Sequence, residues 1–70
     1  MNVAPDIHIT PREAEILHWM AEGKTASEIG TILMISYITV NQHIRNAKAK
    51  FGVYKDTALV CQAFRHHIIT

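Results

Sequence analysis

The sequence predicts an all-α fold of four helices, and three observations carry that prediction. Two stretches, Thr10-Pro11-Arg12-Glu13 and Thr25-Ala26-Ser27-Glu28, set a hydroxyl three residues ahead of a glutamate, the reciprocal capping pattern that opens a helix. Residues 36–51, wound at the helical period, put Val40, Ile44, Ala47 and Phe51 on one narrow apolar face with polar residues opposite. Glycine follows the first and third of these segments, at Gly23 and Gly52, where a left-handed residue ends a helix.

Residues 1–9 read as a flexible lead-in, mixed in composition, with Pro5 and no period. The first helix opens at Thr10, with Pro11 suited to its first position, and runs to about Glu22. Ile16, Leu17, Trp19 and Met20 spread over its buried side, and Glu13 falls there too. A carboxylate at such a place invites an acid–base reading. No second carboxylate, nucleophile or ligand cluster accompanies it, so Glu13 is expected to act as a cap holding an ion pair to a basic residue.

The second helix is predicted from Ala26 to Leu33, with Ala26, Ile29, Ile32 and Leu33 as its core stripe. Gly30 inside it costs about 1 kcal/mol against alanine, which implies that another helix crosses close by. Met34 and Ile35 form a short connection, and Ser36 caps the third helix. Two capped helices so briefly joined make a helix-turn-helix pattern. Val53-Tyr54-Lys55 connects to a fourth helix, capped by Asp56 or Thr57 and running to about Arg65. That helix is apolar at more positions than one stripe can use. Its surplus face, Val60, Cys61 and Phe64, is a candidate surface for self-association. The domain is thus expected over 10–66, with 67–70 as a C-terminal tail.

Seventy residues allow one small domain, which buries only about 60% of its unfolded surface. A single cysteine, Cys61, excludes an internal disulfide framework and, with no signal peptide, suggests a reducing cytoplasm. The apolar runs are too short for a membrane span. His66 and His67 point apart on a helix, while His8, His18 and His43 lie on separate elements, so no metal site or other cofactor is expected. Neither a nucleophile–base pair nor a glycine-rich phosphate loop is present, and an enzyme is not expected.

Charge is distributed unevenly. Residues 1–28 hold two basic against five acidic side chains, whereas residues 29–55 hold Arg45, Lys48, Lys50 and Lys55 with no acid. One basic block on a near-neutral domain is an electrostatic footprint for a polyanion. The outer face of the third helix carries Ile38, Gln42, Arg45 and Ala49 with Asn41 beside them. Thr39, His43, Asn46 and Lys50 line one flank and Lys48 the other. His43 sits between this flank and the core, as a partly buried packing residue.

The order of residues resembles the LuxR-type (FixJ/NarL-like) helix-turn-helix domain of bacterial transcription regulators. The match runs through Thr10-x-Arg12-Glu13-x-Glu15-Ile16-Leu17, Ala21-x-Gly23-x-Thr25-x-x-Glu28-Ile29-Gly30 and Leu33-x-Ile35-Ser36-x-x-Thr39-Val40-x-x-His43-Ile44 to Ala47-x-x-Lys50-Phe51. Trp19-x-Ala21-Glu22-Gly23-Lys24-Thr25 and Thr39-Val40-Asn41-x-His43-Ile44-x-Asn46-Ala47 are most similar to the quorum-sensing branch. The resemblance implies a four-helix domain that binds promoter DNA as a dimer through its last helix. It implies base contacts at Asn41, Gln42 and Arg45, and phosphate contacts at Lys24, Thr25, Thr39, Asn46 and Lys50. The sequence departs from the family pattern at Tyr37-Ile38 and at Asp56-Thr57-Ala58-Leu59, which bear on base preference and dimer geometry respectively.

The expected function is sequence-specific binding of double-stranded DNA, with the third helix in the major groove. Arg45 suits guanine, Gln42 or Asn41 suits adenine, and Ile38 suits a thymine methyl. Lys24, Lys48 and Lys50 would fix the domain on phosphates. No small-molecule ligand is expected for this domain. Should the DNA contacts be weak, a linked sensor domain or RNA polymerase would supply the missing affinity. The alternative is a protein-interaction module using the same fold, favoured by the near-neutral total charge and the outward Tyr37-Ile38 pair.

Overall fold

The first three helices each begin where a side chain satisfies an unpaired amide. A computed structural model describes residues 7–70 and shows four helices: α1 Pro11–Ala21, α2 Ala26–Leu33, α3 Tyr37–Phe51 and α4 Asp56–Arg65. Thr10 and Thr25 form complete capping boxes with Glu13 and Glu28, and Ser36 Oγ accepts the Thr39 N–H at 3.1 Å. The fourth helix differs from expectation. Neither Asp56 nor Thr57 caps it; Lys55 takes the N-cap position with no side-chain hydrogen bond, and Asp56 is the first helical residue. The Asp56 carboxylate is engaged elsewhere, by Lys48 on α3.

The ends of α1 and α3 follow the glycine rule, with φ of 87° at Gly23 and 68° at Gly52. The other two ends use the same left-handed turn without glycine: Met34 at φ 61° and His67 at φ 58°. In both, the following amide closes the turn, Ile35 N–H on Gly30 O and Ile68 N–H on Ala63 O, each at 2.9 Å. Met34 is 90% exposed, so its left-handed backbone is held by the turn rather than by packing of its side chain.

The core forms where all four helices meet. Ile16 and Leu17 of α1, Ile29 of α2, Val40, Ile44 and Ala47 of α3, and Leu59 and Ala63 of α4 are buried together. α3 packs its one buried face against each of the other three helices, which together set its position. Two residues depart from the places their sequence positions predict. Ile32, a core-stripe residue by its spacing, stays 40% exposed, because Ile29 with half-buried Ala26 and Leu33 already fills that face. Ile69, expected in the tail 67–70, is buried in the core, since the turn at His67 folds the chain back over it. The expected lead-in over 1–9 falls outside the described residues up to residue 6; Ile9 packs on the core.

Gly30 has a physical explanation different from a crossing helix. A β-carbon built there would lie 2.7 Å from Ile35 O and 3.3 Å from Tyr37 N. What approaches is the backbone of the α2–α3 link itself, which tucks under the end of α2.

Candidate nucleic-acid interface

α3 is held by its apolar face, which leaves the opposite face free. Asn41, Gln42, Arg45, Asn46 and Ala49 are exposed, and Ile38 is 57% exposed. No carboxylate occurs within this helix. Thr39, half-buried, shares a 3.1 Å hydroxyl–hydroxyl hydrogen bond with Ser36 at the helix start, and His43 is half-buried at the flank. The residues expected to read bases, Ile38, Asn41, Gln42 and Arg45, thus share one solvent-facing side.

The residues expected at phosphates divide into two groups. Lys24 and Thr25 are exposed at the start of α2, directly after the Gly23 turn. There Thr25 Oγ1 accepts the Glu28 N–H, leaving the Ala26 and Ser27 amides of the first turn without intrahelical acceptors. The hydrogen bonds from the Thr25 backbone and side chain, and more weakly Lys24, hold the Glu28 carboxyl below the usual glutamate range despite some desolvation. Among the described residues neither Lys24 nor Arg45 is in an ion pair.

Lys48 and Lys50 are differently placed. Lys48 Nζ lies 2.6 Å from Asp56 Oδ1, and Lys50 Nζ donates to Glu13 Oε1 at 2.7 Å and to His8 O at 2.8 Å. Lys50 is the basic partner that buried Glu13 required. Burial pushes the Glu13 carboxyl up, but Lys50 and the Thr10 amide and hydroxyl together outweigh it and hold the group below its ordinary value. Sequence reasoning missed that α3 brings two of its cations to carboxylates of other helices. The acid-free stretch was legible; its neighbours in space were not.

On α4, Val60 is half-buried, Cys61 exposed and Phe64 46% exposed. A groove of about 430 Å³ runs beside Val60 and Cys61 between the end of α1 and the start of α4, with Met20, Lys24 and Thr57 among its walls. A second hollow of about 400 Å³ opens beside α3, lined by Asn41, Ile44, Arg45, Lys48 and Asp56. Among the described residues no group of three or more His, Cys, Asp or Glu is arranged for a metal ion, and no helix is long and apolar enough to cross a membrane.

A short capped helix, a tight turn closed on a glycine and a longer helix with an exposed polar face together define a helix-turn-helix module. Residues 8–63 match the family model GerE, described as bacterial regulatory proteins, luxR family. The chain belongs to that family. It is 43% identical over 65 residues to the transcriptional activator protein BjaR1 of Bradyrhizobium diazoefficiens, covering 93% of this chain and 27% of that protein. It is 49% identical over 55 residues to the quorum sensing-dependent transcriptional regulator RpaR of Rhodopseudomonas palustris, covering 79% of this chain and 23% of the relative. The crystal structure of Escherichia coli SdiA superposes with a TM-score of 0.86 at 41% identity, covering the whole of this chain and 29% of the other. The chain therefore spans about a quarter of the length of the relatives it matches. The similarity to quorum-sensing regulators read from the sequence is found again in RpaR.

Proposed function

We propose that this domain binds duplex DNA in a sequence-specific manner, with α3 in the major groove, and so serves bacterial transcription regulation. The observation that carries this reading is the solvent-facing side of α3, where Asn41, Gln42 and Arg45 stand together with no acid on the helix. Arg45 donates to guanine, Gln42 or Asn41 pairs with adenine, and Ile38 packs on a thymine methyl. Lys24, Thr25, Thr39 and Asn46 hold phosphates around that face. The lysines of the last turns start from a weaker position, because the carboxylates of Asp56 and Glu13 already occupy them. Two copies meet through Val60, Cys61 and Phe64 of α4 on a two-fold symmetric promoter site, in the bacterial cytoplasm, where RNA polymerase is a further partner.

Selection of bound duplexes from a randomised pool tests the proposal, and a two-fold symmetric consensus is expected. Arg45→Ala or Gln42→Ala then relaxes preference at one or two base pairs, each good bidentate contact contributing about 1–3 kcal/mol of discrimination. An equal loss on selected and scrambled duplexes would remove both residues from base reading. A second reading, a protein-docking module, is favoured by exposed Met34, Tyr37 and Ile38 around the α2–α3 turn. It predicts no steep salt dependence on duplex DNA, whereas phosphate contacts predict a strong one.

A further inference from the structure

We propose that Asp56 is an affinity-lowering residue, an acidic clasp that holds Lys48 away from the phosphate backbone at the edge of the reading face. The inference rests on the DNA-binding reading and adds a residue to it. Asp56 is the first residue of α4, yet its carboxylate reaches α3 and lies 2.6 Å from the Lys48 ammonium. Asp56 and Lys48 line one hollow together with Asn41 and Arg45, so the pair shares a surface with two of the base-reading candidates. Asp56 is the acid that joins an otherwise basic surface. Its side chain is 66% exposed and Lys48 only 24%, so the charge that faces solvent at this spot is the negative one.

The physical effect follows from counting charges. A protein surface meeting a duplex releases counterions in proportion to the phosphates it neutralises. Whether Lys48 stays on Asp56 or leaves it for a phosphate, the carboxylate remains beside the duplex, and the surface delivers one positive charge fewer. An ion pair with its carboxylate in solvent is readily opened, so the clasp weakens binding without preventing it. The term is independent of sequence. It lowers attachment to random DNA and leaves discrimination to Asn41, Gln42 and Arg45.

The experiment compares the wild-type chain, Asp56→Asn, Asp56→Asn with Lys48→Gln, and Glu15→Gln, each titrated with a random duplex and a selected duplex at several salt concentrations. Glu15 lies on α1, paired with Arg12 at 3.6 Å, and controls for net charge alone. Asp56→Asn is expected to steepen the slope of log K against log salt by about 0.9, which is up to about eightfold tighter binding at 0.1 M salt relative to 1 M. The gain is expected on both duplexes, to disappear when Lys48→Gln is added, and to be absent in Glu15→Gln. An unchanged slope in Asp56→Asn overturns the clasp, as does a gain that survives Lys48→Gln or is matched by Glu15→Gln. A loss confined to the selected duplex also overturns it, and assigns Asp56 to base reading instead. If neither the wild type nor Asp56→Asn binds any duplex, the DNA-binding reading itself fails. Circular dichroism melting of each variant separates these outcomes from a damaged α4.

Discussion

The carboxylate of Glu13 serves two helices through one oxygen. Oε1 accepts the Thr10 N–H at 2.9 Å, closing the cap of α1, and the Lys50 ammonium at 2.7 Å, tying down the end of α3. Hydrogen bonds to charged groups contribute about 1.5–3 kcal/mol, so Glu13→Gln is expected to destabilise the fold by about 2 kcal/mol in urea denaturation at neutral pH. Because the folded carboxyl titrates below its ordinary value of 4.5, the native state binds fewer protons than the unfolded chain. The stability from Glu13 is therefore complete above that value and is lost as pH falls through the lower folded one. The gap between wild type and Glu13→Gln should narrow over this acidic window; a constant gap would remove the charge from the explanation. The capping role of Glu13 could be read from four adjacent residues. Its partner could not, because Lys50 is remote in sequence and only the packing of α3 on α1 brings the two together.

At the scale of elements, the helix boundaries were legible wherever local chemistry decides them. Thr10, Thr25, Ser36, Gly23 and Gly52 each act within a few residues of their own position, and the boundaries of α2 and α3 follow. Met34 and His67 were not legible as left-handed turn residues, because side chains rarely adopt that conformation and only the closing hydrogen bonds impose it. The turn between α2 and α3 makes a sharp prediction at Gly30. Alanine gains about 1 kcal/mol of helix propensity. Its β-carbon, however, meets the Ile35 carbonyl at 2.7 Å, and a backbone atom cannot step aside like a flexible side chain. Overpacking typically costs about 1–3 kcal/mol, so Gly30→Ala should lower the melting temperature despite its better propensity. A higher melting temperature would show that the link between the helices yields.

For the whole molecule, the one-sided packing of α3 and the unfilled face of α4 divide the surface between two proposed partners, duplex DNA and a second copy. The apolar surplus on α4 was visible as a composition excess, and Phe64 remains 46% exposed in the folded chain. Burying that remainder against a second copy is worth roughly the 1.4 kcal/mol that corresponds to a tenfold change. Phe64→Asp should therefore weaken occupancy of a two-fold site about tenfold or more while binding to a single half-site is retained, as gel-shift titration of both duplexes would show. Equal affinity of wild type and variant for the two-fold site would place the pairing surface elsewhere. The sequence could supply which residues were spare on α4; which of them a partner covers depends on the shape of two copies together.

The Lys50 ammonium also grips the carbonyl of His8, ahead of the first helical residue. The backbone approaching α1 is thereby moored to the last turns of α3. One side chain therefore joins three parts of the chain, the strand of backbone entering α1, the cap of α1 and the last turn of the helix that carries Arg45.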